Sequence, residues 1–186
     1  MVFSYIRIRC SVEEAMARYG RWIGRPALGV PQLIPEDDRI DLALDEGSQQ
    51  WLGLAVFVYE SEGWAVIEEV SGGLGLEPPE KWLALAEDGD LIYAAANDAV
   101  PYAQIIAIVK GRLVRNIVKD DSDPSGDLDV GRLPEESTRP FKNWIDVMAW
   151  VEADEEKLFR PKKGWLWIHH AETTETGSTD GDSATT

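Results

Sequence analysis

The sequence predicts an α+β fold: one domain over residues 1–170, with a mainly antiparallel sheet of about five to seven strands flanked by three helices. Residues 51–120 contain apolar runs of strand length arranged around one short helical segment. Glycine-containing turns join these runs as hairpins. Apolar residues at helical spacing occur near both ends of the chain and supply the other two helices.

Composition is that of a folded intracellular protein. The chain has 186 residues, 44% of them hydrophobic, and eight tryptophans, which suffice for a core and exclude intrinsic disorder of the body. Its single cysteine, Cys10, excludes an internal disulfide framework and fits a reducing compartment. We see no signal-peptide pattern in MVFSYIRIRC and no run approaching the roughly 18 apolar residues of a membrane span. The expectation is a cytoplasmic protein.

The net charge of −16 is concentrated in four segments. Residues 36–46 carry −5, residues 60–90 carry −8, residues 120–136 carry −6 and residues 171–186 carry −4, so the rest of the chain is positive. This balance argues against nucleic acid and anionic membranes as partners, because both require clustered lysine and arginine. It favours a basic protein partner. The alternative is that the acidity serves only solubility.

The N-terminal segment predicts a strand followed by a helix. Phe3–Cys10 alternates apolar and polar residues, which is typical of a half-buried strand. Ser11 and Glu14 form a capping-box pattern, and Gly24 can end the helix in a left-handed conformation. Cys10 lies on the apolar side of its strand and is interpreted as a structural thiol.

The middle of the chain predicts a long connection, two hairpins and a helix. Residues 25–50 form the connection, with a short strand at Arg39–Leu44. Turns at Glu60–Gly63 and Lys110-Gly111 predict hairpins. The helix begins at Pro78-Pro79. The glycines at 72–75 precede it, but prolines and glutamates stand where a phosphate-binding loop needs amides and a lysine.

The C-terminal part predicts a third helix and a final strand. The helical stripe consists of Phe141, Trp144, Ile145, Met148 and Val151. Gly164–Ile168 is either an edge strand or an exposed apolar patch. His169 and His170 are adjacent and would point to opposite faces of a strand, which makes them poor joint metal ligands. Residues 171–186 lack an apolar pattern and predict a disordered acidic tail.

The acidic loop over residues 120–136 has the ligand spacing of an EF-hand, with Gly126 at the sixth position. Arg132 occupies the twelfth position, where a bidentate glutamate belongs, and Pro124 stiffens the turn. A strand precedes the loop instead of a helix. We therefore predict a solvated turn, with weak calcium binding by residues 121–132 left open.

Catalytic motifs are absent from the sequence. The body has no histidine before residue 169 and no GxSxG. Two histidines and one cysteine are too few ligands for a usual zinc site. No cofactor or metal is therefore predicted. Acid–base chemistry by paired carboxylates remains as an alternative, using Glu68 and Asp98 in a small hydrolase or lyase. Tyr93, Asn97 and Tyr102 complete that pocket candidate. The preferred interpretation is that Glu68 pairs with Arg112 or Arg115 and that Asn97-Asp98 forms a turn.

One run resembles a known class of proteins. In texture it is similar to small acidic bacterial immunity proteins of polymorphic secreted toxins. The segments that carry the similarity are Gly63-Trp64, Ser71-Gly72-Gly73-Leu74, Trp82-Leu83, Leu91-Ile92-Tyr93-Ala94 and Asn97–Tyr102, followed by the Lys110-Gly111 hairpin. The similarity covers residues 51–152 and includes no diagnostic motif, so no functional residue is carried over. It implies a cytoplasmic inhibitor that binds a cognate toxin tightly, often by presenting carboxylates to a basic cleft.

The sequence thus favours a non-enzymatic binding protein, with an immunity function as the leading hypothesis. The oligomeric state is left open. A structural module that docks through Trp165 and Trp167 is a further alternative. The predicted partner-binding residues are Asp98, Tyr102, Asp120, Asp121, Asp123, Asp127 and Asp129.

Overall fold

Two-residue turns fix the antiparallel pairing of the central strands. The computed structural model of the protein describes residues 2–72, 77–158 and 160–171. In it, Glu62-Gly63 and Lys110-Gly111 have positive φ at both positions, from 49° to 79°. This backbone matches the right-handed twist of the flanking strands. Both predicted hairpins are confirmed.

The described residues form nine strands and three α-helices. The strands are β1 (Val2–Ile8), β2 (Gln32–Pro35), β3 (Leu54–Ser61), β4 (Trp64–Glu69), β5 (Leu91–Asn97), β6 (Tyr102–Val109), β7 (Arg112–Asp120), β8 (Leu128–Gly131) and β9 (Lys163–His169). The helices are α1 (Val12–Ile23), α2 (Pro79–Ala86) and α3 (Trp144–Glu155). The nine strands form one antiparallel sheet in the order β2-β9-β3-β4-β1-β5-β6-β7-β8.

The α+β class and the three helices are confirmed, but the predicted five to seven strands are too few. The two outermost strands, β2 and β8, have only four residues each, which is too short for their pattern to predict a strand. The predicted strand at Arg39–Leu44 is wrong, because that segment forms 3₁₀ turns at Glu36–Asp38 and Asp41–Ala43. β9 is an internal strand, paired with both β2 and β3.

Helix α1 begins and ends where the sequence predicts. The Ser11 hydroxyl accepts a hydrogen bond from the Glu14 N–H at 3.2 Å, and Gly24 has φ of 65°. The Glu14 carboxylate pairs with Arg18 on the next turn. Ala15 and Tyr19 are buried against the sheet.

Both faces of the sheet are apolar and carry helices. On one face, α1 and α2 bury Tyr19, Trp82 and Leu85 against residues such as Ile6 and Tyr93. On the other face, α3 packs on β5, β6 and β7. Four alanines of β5 and β6 belong to the same buried cluster as Val147 and Val151 of α3: Ala94, Ala96, Ala103 and Ala107. Small side chains let the helix approach the sheet closely.

The buried face of α3 differs from the predicted stripe. The helix begins after Asn143, whose side chain accepts from the Asp146 N–H at 3.1 Å. Val147, Val151 and Asp154 are buried, whereas Ile145 is 54% exposed. Asp154 fixes this orientation because it accepts hydrogen bonds from the Tyr5 hydroxyl at 2.8 Å and from Arg7 at 2.7 Å. A buried carboxylate needs such partners.

The remaining expectations fall partly outside the described residues. The prediction of a disordered tail over 171–186 lies outside the described residues except for Ala171. The glycine-rich loop lies outside them at residues 73–76. Among the helices the structure describes, none has the length and apolar character needed to cross a membrane.

Replacing the buried carboxylate of α3 tests this packing. We expect Asp154→Ala to lower the free energy of unfolding by about 3 kcal/mol, because Arg7 and the Tyr5 hydroxyl lose their partner in a buried site. Urea denaturation measures the change. The matched control is Glu152→Ala, an exposed carboxylate on the same helix, with an expected change below about 0.5 kcal/mol. Equal losses in the two variants would contradict the proposed role of Asp154.

His169 should make stability depend on pH. Its ring is buried between Tyr19 and Trp167, and Nδ1 lies 3.1 Å from the Arg25 carbonyl oxygen. Burial lowers the pKa of His169 below its ordinary value of 6.5. The unfolded chain therefore takes up the proton first, and this contribution to stability is lost as pH falls below about 6.5.

Unfolding curves measured between pH 7 and pH 5.5 test this expectation. The decline with falling pH should be shallower in His169→Phe, whatever the stability of that variant at pH 7. His170→Gln is the control, because His170 is exposed and should leave the slope unchanged. A His169→Phe slope equal to that of the native chain would contradict the assignment.

Candidate functional site

The predicted partner-binding residues lie together at one edge of the sheet. β8 is the outermost strand and pairs with β7, and the loop between them holds Asp121, Asp123 and Asp127, all exposed. The turn from β5 to β6 adjoins this loop, since Tyr102 pairs with Asp120 and the Asp121 N–H donates to Pro101 at 2.9 Å. We call residues 98–102 and 120–129 the acidic edge.

Carboxylates of the acidic edge are held by the main chain of their own loop. Asp120 accepts from the N–H groups of Ser122 and Asp123 at 2.8 and 3.2 Å, and Asp123 accepts from the Ser125 N–H at 3.2 Å. The hydrogen bond from the Ser122 hydroxyl contributes most to lowering the pKa of Asp120. The half-buried Asp120 and the exposed Asp123 are therefore both held in position by their own loop.

Asp127 closes the loop onto β7. It accepts from Lys119 Nζ at 2.9 Å and from the Asp120 N–H at 3.0 Å. The Lys119 hydrogen bond is the first cause of the lowered pKa of Asp127. Asp127 thus holds the loop in place as well as contributing charge to it.

Asp129 is exposed, but its carboxylate pairs with a buried arginine. Arg115 is fully buried and its guanidinium contacts Asp129 Oδ1 at 2.7 Å and Glu136 Oε1 at 2.7 Å. The same group donates to the carbonyl oxygens of Val130 and Gly131. Arg115 therefore fastens β8 and the following turn to β7, and its partner Glu136 is buried as well.

Asp98 and Tyr102 occupy different environments. Asp98 is exposed in a turn that Asn97 closes, since Asn97 Oδ1 accepts from the N–H groups of Ala99 and Val100 at 3.0 and 3.3 Å. Tyr102 is half-buried and donates to Gln104 at 2.7 Å. Burial, aided by the nearby Asp120 charge, raises the pKa of Tyr102. The predicted Asn97-Asp98 turn is confirmed.

The loop does not assemble a metal centre from the part of the chain that the structure describes. No group of three or more His, Cys, Asp or Glu side chains there lies close enough to hold an ion. The oxygens of Asp120 and Asp123 already accept hydrogen bonds from backbone N–H groups.

Glu68 points inward, as predicted, but its partner is a different arginine. It accepts from the Tyr59 hydroxyl at 2.7 Å and from Arg160 Nε at 2.6 Å, and Arg160 also pairs with Glu155. The expected pairing with Arg112 or Arg115 is wrong. Four strand spacings separate β4 from β7, a distance of about 19 Å.

Glu68 borders a polar cavity that Asp98 does not reach. The cavity measures about 180 Å³, and its lining includes Glu69, Glu155, Arg39 and Arg160. Register places Glu68 opposite Tyr5 and Asn97 opposite Val2. Strand and residue spacings then put Glu68 and Asp98 about 14 Å or more apart. The two carboxylates of the hydrolase hypothesis are not brought together.

The other members of the predicted pocket are also dispersed. Tyr93 lies on the opposite face of the sheet from Glu68 and stacks on Trp82 with ring centroids 4.3 Å apart. Trp167, one of two residues expected to form a docking edge, packs against Tyr19, while Trp165 is 38% exposed.

Sequence reasoning missed Asp154 and Arg160, which organise the polar centre of the α3 face. Asp154 follows Val147 and Val151 at helical spacing, so the periodicity of α3 contained the signal. Arg160 lies in an irregular segment, where no pattern identifies a partner.

No protein-family model, curated protein or solved structure matches this chain.

The Arg115 network yields a stability prediction. We expect Arg115→Met to cost about 3–5 kcal/mol, because the buried Glu136 loses its close partner at 2.7 Å and keeps only the exposed Arg132 at 3.4 Å. The double variant Arg115→Met, Glu136→Leu should recover part of that loss, since no buried charge is left without a partner and Asp129, which also loses Arg115, is exposed to solvent. Urea denaturation of both variants, with the exposed Arg112→Met as control, measures these differences. A double variant less stable than Arg115→Met would contradict this interpretation.

Proposed function

We propose that this protein is a non-enzymatic binding protein that neutralises a cognate toxin by covering it directly. The acidic edge is the proposed contact surface, and a basic region of the toxin is its counterpart. The resemblance to bacterial immunity proteins motivates the toxin as partner and the cytoplasm as the place of action.

One observation carries this proposal. Asp120 and Asp123 accept hydrogen bonds from the N–H groups of their own loop, and Asp127 from that of Asp120, so the loop is ordered before any partner arrives. Ordering a loop on binding costs free energy, and a preformed loop avoids most of that cost. Fixed carboxylates are suited to meeting lysine and arginine side chains at defined positions.

Electrostatics supports the same surface. The chain carries −16 overall, and residues 120–136 carry seven carboxylates against one arginine. A field of this sign draws a basic partner toward the surface and raises the association rate. Asp121 is exposed, and neither it nor Asp98 is required by the Arg115 network.

The acidic edge also offers apolar contact area. Leu128 and Val130 on β8 are 37% and 49% exposed, and both lie beside the loop carboxylates. Tyr102 adds a half-buried aromatic ring. Interfaces commonly combine such an apolar centre with charged surroundings, the first supplying affinity and the second supplying specificity and rate.

Charge reversal at the loop tests the proposed surface. The candidate partner is the protein encoded next to this gene, and stopped-flow fluorescence measures association at about 0.02 M and 0.2 M salt. Asp121→Lys with Asp123→Lys should slow association by about tenfold or more at low salt and flatten its salt dependence. The same variant should protect cells that express the toxin less well than the native chain.

Glu152→Lys with Glu156→Lys is the matched control. It makes the same change in charge at two exposed positions, one on α3 and one directly after its last residue, and it should slow association by about threefold at most. Equal effects of the two double variants would show that overall charge, and not the acidic edge, governs binding. Unchanged kinetics in the loop variant would eliminate the loop as the contact.

A further inference from the structure

An apolar groove lies at the other edge of the sheet, away from the acidic edge. It has a volume of about 350 Å³. β9 provides its floor, and the segments before β2 and before β3 provide its walls. The apolar lining consists of Leu28, Val30, Leu42, Leu52, Leu166 and Ile168.

Main-chain hydrogen bonds hold both walls of the groove. On one side the Leu28 N–H donates to the Ile168 carbonyl oxygen at 2.8 Å. On the other side the Leu52 N–H donates to the Ala43 carbonyl oxygen at 2.9 Å. The walls are thus tied to neighbouring backbone, and the groove is present without a ligand.

Four exposed apolar side chains line this groove. Among the described residues, thirteen large apolar side chains are exposed, and four of them line the groove: Leu28, Val30, Leu42 and Leu52. Val30 is the extreme case at 82% exposed, and Leu42 and Leu52 are 45% and 44% exposed. Scattered apolar residues are ordinary on a surface, but a contiguous group marks a contact site.

The main chain of β2 is poorly suited to receive another strand. The Glu36 N–H donates to Lys162, so pairing with β9 uses Ile34 and Gln32 and turns Pro31, Leu33 and Pro35 outward. Prolines have no N–H, which leaves Leu33 as the one outward donor among these three. A partner must therefore bind mainly through side chains placed in the groove.

Charge around the groove selects the chemistry of its occupant. Residues 36–46 carry six carboxylates and one arginine, a net charge of −5. Asp41 is exposed and directly precedes the groove-lining Leu42 in the chain. A second copy of this chain would bring the same negative charge against it. Lysine or arginine beside the apolar anchors of a partner would be attracted.

We propose that the groove is a second docking site, separate from the acidic edge, and that it takes apolar side chains of a partner segment flanked by lysine or arginine. The apolar anchors fill the space between Leu28, Leu42 and Leu52. The basic side chains meet the carboxylates of residues 36–46. This site places a second contact at the far side of the sheet from the first.

A labelled model peptide tests the proposal on the full chain. The probe is a synthetic peptide of leucine and lysine with its leucines at helical spacing, and fluorescence anisotropy measures its binding. Leu42→Ser with Leu52→Ser should weaken binding at least about tenfold, because both anchoring contacts are lost. A matched peptide with glutamate in place of lysine should bind at least about tenfold more weakly to the native chain.

Control variants and alternative occupants complete the experiment. Val109→Ser with Ile145→Ser removes side chains of similar exposure elsewhere (45% and 54%), and should leave peptide binding unchanged. Unaltered binding by the Leu42, Leu52 variant would overturn the proposal, as would equal binding of the glutamate peptide. Sedimentation velocity tests for self-association. If the native chain is a dimer and the Leu42, Leu52 variant is a monomer, the groove binds a second copy of the chain, and the proposal is overturned. If that variant does not fold, Asp41→Lys, which reverses the exposed charge next to Leu42, must weaken peptide binding about threefold or more.

Discussion

The structure depends on shielding both apolar faces of a wide sheet from water. Nine strands at about 4.8 Å spacing span about 40 Å, whereas a helix with its side chains is only about 10 Å wide. α1 and α2 therefore shield the middle of one face, and α3 shields part of the other. The outer strands are left to loops and short turns. Both proposed contact surfaces lie at these margins because the helices do not reach them.

Buried charges set how the α3 face is assembled. The alanines of β5 and β6 let α3 approach closely but do not select its rotation or its position along the sheet. Asp154 makes that selection through Tyr5 and Arg7, and Arg160 joins the end of α3 to Glu68. On the neighbouring strands, Arg115 does the same for β8. An apolar surface alone allows several orientations of a packed helix. Buried polar groups that must each reach a specific partner select one of them.

Local patterns were sufficient for the elements whose determinants are local. The hairpin at Lys110-Gly111 and the α1 boundaries follow from turn and capping chemistry, and the structure reproduces them. β2 and β8 could not be predicted, because four-residue strands take their stability from the neighbour they pair with. The acidic loop was recognised from its composition. Its hydrogen bonding to its own N–H groups, and the burial of the Asp129 partner Arg115, depend on tertiary packing that no spacing encodes.

The prolines on either side of Leu33 have a consequence for behaviour at high concentration. Exposed sheet edges are where soluble proteins begin to stack into fibrils, and this chain surrounds one such edge with apolar side chains. Removing two outward N–H groups prevents a regular ladder from growing there, while β8 at the opposite end has only four residues and directly follows the acidic loop. The protein can thus expose an apolar sheet edge for binding a partner without that edge starting amyloid growth.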